Sequence, residues 1–142
     1  GKRFFSTEWE VLRDREYLWI QKKDSSPLIP ELIIEEIERT PSFVIPRDKH
    51  IACLDADKLN HPLTIRKWER GDKFIPLGMN GKKKVSNYLT DKKFSLFQKE
   101  NQYVVCCGED IVWLVNERSN HRYRITDSTQ RILLIQIKKD GQ

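Results

Sequence analysis

The run Tyr103-Val104-Val105-Cys106-Cys107, then Gly108-Glu109-Asp110, then Ile111-Val112-Trp113-Leu114-Val115 constrains the fold more than any other stretch. Two β-rich segments flank a three-residue turn containing Gly, which is the pattern of an antiparallel hairpin. Adjacent cysteines in a strand point to opposite faces, so Cys106 and Cys107 are poorly placed to share a metal or a base and read as packing residues.

Further strands to build on that hairpin are present. Residues 9–13 and 16–22 are β-rich runs around Asp14-Arg15, and in the second Tyr17, Trp19 and Gln21 alternate with Leu18, Ile20 and Lys22. This predicts a second hairpin with a partly buried face. Residues 32–38 fit strand or helix by periodicity alone, and the prolines on both sides favour strand. Residues 50–55 and 63–68 predict two more strands, and residues 122–125 and 131–138 a closing pair around the turn residues Thr126-Asp127-Ser128-Thr129. Residues 70–81 are too rich in Gly and Pro to hold a regular element and predict a long loop, a kind of segment that often carries function. Beyond it Val85, Tyr88 and Leu89 fall at i, i+3 and i+4, which predicts a short amphipathic helix to about Lys92. The expected fold class is α+β, mostly antiparallel β with one or two short helices, in a single domain over residues 1–142.

With 142 residues, 38% of them hydrophobic, the chain has enough apolar matter for a core. No apolar run reaches the roughly 18 residues of a membrane helix, and the first residues lack a signal-peptide core. The expectation is a protein with no membrane partner that is not exported. Three cysteines without C-x-x-C spacing fit a reduced, cytoplasmic setting.

Charge is segregated along the chain. Residues 1–57 carry 9 basic and 12 acidic side chains, residues 58–99 carry 11 and 3, and residues 100–142 carry 6 of each. The whole excess of +5 therefore comes from a central stretch of net +8. A hydrated lysine-rich surface would have this composition, and contact with an RNA or DNA backbone is the functional reading.

Several chemistries are excluded or weakened. Gly81-Lys82 has Pro76 where a phosphate-binding P-loop needs its first glycine. Gly78-Met79-Asn80-Gly81 matches the G-x-x-G loop of KH domains, but that loop joins two helices, and Gly71 and Pro76 disfavour a helix upstream. What survives is that the glycines allow a phosphate close to the backbone, and that Lys82, Lys83 and Lys84 lie at a helix start whose dipole also favours anions. Asp55-Ala56-Asp57 with His50 and His61 suggests metal ligands on residue type alone, but ordinary turn chemistry accounts for the carboxylates. No Ser or Cys has a recognisable nucleophile setting, so no catalytic or metal-binding residue is expected.

The stretch from Leu63 to Met79 resembles the C-terminal domain of bacterial tRNA(Ile)-lysidine synthetase. Arg66 and Trp68, Gly71-Asp72 and Phe74, Pro76-Leu77-Gly78-Met79, Gly81 and the pair Lys83-Lys84 match the pattern of that family. The match spans roughly residues 50–137, and residues 1–49, expected to form peripheral strands, resemble it only loosely. The chain departs from the family pattern at Ser95, where proline is common, and at Asn116-Glu117, where a glycine and an apolar residue are expected. The resemblance implies a sandwich-like fold similar to a module of the phenylalanyl-tRNA synthetase beta subunit. It also implies an enzyme that uses ATP, with magnesium, to ligate lysine to the wobble cytidine of tRNA(Ile) bearing a CAU anticodon. That chemistry belongs to a separate N-terminal catalytic domain with a Ser-Gly-Gly-x-Asp-Ser loop, and no Gly-Gly occurs in this chain. By the same resemblance this domain docks the tRNA acceptor stem. The expected phosphate and sugar contacts are Lys67, Arg70, Lys73, Lys82, Lys83, Lys84, Lys92, Lys93, Arg118 and Arg122, with Trp68, Phe74 and Leu77 packing beneath the loop. A module that meets only the rest of its own enzyme, without RNA contact, is the alternative.

Overall fold

Positions two apart on β12 (Arg131–Ile137) show how the first sheet is built: Leu133 and Ile135 are both fully buried in the core between the sheets. β12 lies antiparallel between β4 (Leu32–Glu38) and β5 (Ile51–Asp55), and β1 (Lys2–Phe5) pairs with the far edge of β4. The computed structural model describes the strands within residues 2–22 and, throughout, residues 29–138.

The second sheet runs β11 (Arg118–Ser119), β10 (Asp110–Leu114), β9 (Tyr103–Cys107), β6 (Leu63–Lys67), β3 (Glu16–Lys22) and β2 (Glu8–Arg13). All its pairings are antiparallel except β3 with β6. Leu63, Ile65, Val105, Cys107 and Trp113 face Leu32, Ile34, Leu54, Leu133 and Ile135 of the first sheet, which makes the sandwich core. Each fully buried side chain of this kind contributes about 1.5–3 kcal/mol of transfer free energy.

The other face of the second sheet is also covered. Val104, Cys106, Ile111 and Leu114 pack against Phe74, Val85, Tyr88 and Leu89. Burial on both faces explains why residues 103–107 form an unbroken apolar run. Cys106 and Cys107 do point to opposite cores, as strand geometry requires. Val112 is an extra residue between the pairs Ile111 with Cys106 and Trp113 with Val105, a bulge that sends both Val112 and Trp113 into the sandwich core.

The helix that covers this face is α1 (Val85–Asp91), and α2 (Leu96–Glu100) follows it. Three expectations need correction. The central hairpin turn has two residues, because Asp110 already pairs with Cys107, and Gly108 supplies the left-handed conformation (φ +60°). Residues 70–81 are not wholly irregular: β7 (Lys73–Phe74) pairs with β8 (Lys83–Lys84). Residues 122–125 are not a strand. Instead a 3-10 turn covers His121–Tyr123, because the Asn120 side chain accepts from the Arg122 amide and holds the backbone in a tight turn.

Candidate nucleic-acid interface

Arg66, near the end of β6, fixes the base of the loop. Its guanidinium makes two hydrogen bonds to the Asp72 carboxylate, at 2.8 and 3.0 Å, and this partner raises its pKa further. The same carboxylate accepts from the Glu69 amide at 2.7 Å, closing a tight turn over residues 69–72. The Asp72 carbonyl then accepts from Val85 N–H at 2.9 Å, joining the turn to the start of α1. This pairing was not foreseen from the sequence. Its only signal was an Arg and an Asp six positions apart at the two ends of a Gly-containing turn.

That brace brings β7 against β8, with Lys73 directly opposite Lys84 and Phe74 opposite Lys83. Phe74 is buried and meets Tyr88 edge-on at 5.7 Å between ring centroids. Past it, Met79 N–H donates to the Pro76 carbonyl, and Gly78 occupies the third turn position with φ +89°, as a type II turn demands. The turn is stitched to β11 and the residues after it by Leu77 N–H on the Ser119 carbonyl, His121 N–H on the Ile75 carbonyl, and Gly78 N–H on His121 Nδ1. Pinned from outside, Leu77 remains 43% exposed and does not pack beneath the loop; Phe74 does, and Trp68 is half-buried against the same cluster.

Lys73, Lys82, Lys83 and Lys84 line one open depression of about 640 Å³, together with Met79, Gly81, Asn87 and Asp91. Like charges directly opposite in a strand pair are destabilising, so Lys73 beside Lys84 costs energy unless an anion lies between them. Lys83 is ion-paired with Asp91. Among the described residues, none of Lys67, Arg70, Lys73, Lys82, Lys84, Lys92 and Lys93 has a carboxylate partner.

Tyr88 ties two more cations to this side. Lys92 Nζ lies 5.7 Å and Arg118 Cζ 5.9 Å from its ring centroid, so β11 and the end of α1 share one aromatic ring. Tyr88 read as a core residue from its spacing, and its cation-holding edge had no signal in the sequence. Lys93 follows in the left-handed region (φ +60°) and turns the chain toward α2. Lys67 and Arg70 are exposed beside the Arg66–Asp72 turn. Arg122 lies elsewhere: it lines a separate depression of about 720 Å³ with Lys58, Asn60, His61, Asp110 and Tyr123.

The Asp55 and Asp57 carboxylates are occupied with the backbone. Asp55 caps the 3-10 turn Ala56–Lys58 by accepting from the Asp57 amide at 3.0 Å, and Asp57 accepts from Gln130 N–H at 2.8 Å. Among the described residues no group of three or more His, Cys, Asp or Glu is arranged to hold a metal ion. Burial and a hydrogen bond to Asp110 hold the Tyr123 hydroxyl well above its usual pKa. No helix of the described residues is long and apolar enough to cross a membrane.

No family model matches the sequence. The chain is 54% identical over 140 residues to a tRNA(Ile)-lysidine synthase of Bacteroides thetaiotaomicron, covering 96% of this chain and 33% of the relative. It is 43% identical over 149 residues to that of Parabacteroides distasonis, covering 95% and 34%. The chain thus spans about a third of the length of these relatives. Among solved structures, a TilS C-terminal domain superposes with a TM-score of 0.67 at 17% identity over 100% of both chains. An N-terminal fragment of the phenylalanyl-tRNA synthetase beta subunit from Pyrococcus horikoshii gives 0.54 at 18% identity, over 61% of this chain and 27% of that one. These likenesses establish the fold expected from the sequence, mostly antiparallel sheets with two short helices.

Proposed function

The chain belongs to the tRNA(Ile)-lysidine synthase family, as its C-terminal domain, and on that ground we propose that it is the tRNA-docking module of such an enzyme. The proposed ligand is the acceptor stem of tRNA(Ile) with a CAU anticodon. In this reading a separate N-terminal domain of the same polypeptide, in the cytoplasm, uses ATP and magnesium to join lysine to the wobble cytidine. Residues 1–142 contribute binding and no catalytic group.

The observation that carries the reading is the depression where Lys73 and Lys84 oppose each other beside Lys82, none of the three ion-paired among the described residues while Asp91, in the same depression, is taken by Lys83. An A-form stem hides its base edges in a deep, narrow major groove and offers phosphates and 2′-hydroxyls instead. Lysines on a rigid strand pair suit that target as point charges. Around this centre Lys67, Arg70, Lys92, Lys93 and Arg118 extend the contact, and Lys83 serves partly by holding Asp91.

Replacing Lys73, Lys82 and Lys84 together with Ala tests the proposal. The slope of log K against log salt for tRNA binding should become shallower by about 2–3 units, since each phosphate contact contributes roughly 0.7–0.9. All three side chains are exposed, so the fold is expected to survive. An unchanged slope in a folded variant rejects the docking surface.

A further inference from the structure

α2 buries none of its residues, yet its two largest apolar side chains, Leu96 and Phe97, are each 73% exposed. A five-residue helix gains nothing from intrinsic propensity in isolation and normally depends on packing. Here hydrogen bonds from side chains hold it instead. Ser95 and Gln98 form a complete capping box, Asn101 Nδ2 donates to the Phe97 carbonyl at 2.8 Å, and Trp68 Nε1 donates to the Lys99 carbonyl. Lys99 Nζ in turn donates to Thr90 Oγ1 at 3.1 Å, which fastens α2 to α1. The fold therefore holds an aromatic ring in water on a fixed support.

We propose that Phe97 is a stacking platform for an unpaired nucleotide at the end of the docked RNA duplex, an inference that rests on the docking reading above. The surroundings select this occupant over a protein. Lys92 and Lys93 lie just ahead of α2 and carry no carboxylate partner among the described residues, and Asp91 is already paired with Lys83. Aromatic rings interleaved with lysines suit nucleobases and a phosphate backbone, whereas lysine is depleted in the cores of protein interfaces. Two apolar side chains also fall far below the roughly 800 Å² per partner of a stable protein interface, but they match the face of one or two bases.

The test uses this chain with two RNAs: a blunt duplex, and the same duplex with a short unpaired 3′ extension. The extension should tighten binding about tenfold, the effect of stacking one base. Phe97→Ala and Phe97→Leu should both lose that gain and leave affinity for the blunt duplex unchanged; the Leu variant separates ring stacking from mere apolarity. Equal affinity for the two RNAs, or retention of the gain by Phe97→Leu, overturns the platform. If the blunt duplex still binds through Lys73, Lys82 and Lys84 in that case, docking stands and only stacking falls. Binding of neither RNA rejects both.

Discussion

Cys53 lies on β5 between Ala52 and Leu54, which both face the sandwich core, so strand alternation places its thiol on the outer side of the first sheet. Burial there pushes its pKa up to about 11. The thiolate is the reactive form, and the folded protein keeps the proton through the range where an exposed cysteine would lose it. Alkylation of Cys53 should therefore be roughly 100-fold slower than that of a free thiol at pH 8, and the rate should rise about tenfold per pH unit to about pH 11. A rate that levels near pH 9 would show that the thiol is not desolvated. Single residues also explain how this chain departs from its family pattern. Ser95 replaces a proline with a side chain that caps α2, and Asn116 adopts φ +63°, which the glycine of the pattern would adopt freely and which Asn tolerates better than most residues.

Elements around the loop depend on one ion pair. The Asp72 carboxylate accepts both arms of Arg66 and holds the Glu69 amide, while its backbone carbonyl accepts from Val85 N–H, so β6, the 69–72 turn and α1 meet at a single residue. Asp72→Asn would leave Arg66, itself only 15% exposed, with the largely exposed Glu69 carboxylate at 4.0 Å as its remaining charge partner. The expected loss is about 2 kcal/mol, read as a lower urea midpoint at constant m, because a partly covered guanidinium loses its nearer counter-charge and a bidentate pair. A variant as stable as the parent would mean that the loop is held from the Ser119–His121 side alone. The legibility of the elements follows the same division between local and distant causes. The Tyr103–Cys107 and Asp110–Leu114 hairpin and α1 were readable because spacing and turn residues within a dozen positions decide them. The pairing of β4 with β12, and the parallel contact of β3 with β6, join segments far apart in sequence and left no local trace. Residues 122–125 have the composition of a strand, but Asn120, whose side chain donates to the buried Ile111 carbonyl at 2.6 Å, overrides the β propensity of Tyr123 and Ile125 and sets a 3-10 turn over His121–Tyr123.

For the molecule as a whole, the central excess of charge becomes three distinct populations. Arg66 and Lys83 are turned onto Asp72 and Asp91, and Lys58 joins Asp55 next to Arg122. Lys99 reaches back to the Thr90 hydroxyl, and the remainder, Lys67, Arg70, Lys73, Lys82, Lys84, Lys92 and Lys93, have no carboxylate partner among the described residues. The candidate lysines were thus legible as a class, while their division into bracing and free cations required the fold, because Asp72 and Asp91 come from the same basic stretch. If every free cation met a phosphate, each contributing roughly 0.7–0.9, the salt slope would reach about −5 to −6, and a real footprint should fall below that limit. Backbone contact to an A-form helix carries little base information, so RNA duplexes of unrelated sequence should bind with slopes alike and affinities within about threefold. Titrations of such duplexes over a salt series provide the measurement. Because Arg122 lines the other depression, Arg122→Ala should leave the slope unchanged, whereas a drop of nearly one unit would mean that the RNA reaches across to Lys58 as well. A slope near zero, or strong discrimination between sequences, would be incompatible with a lysine-lined surface that reads charge and shape.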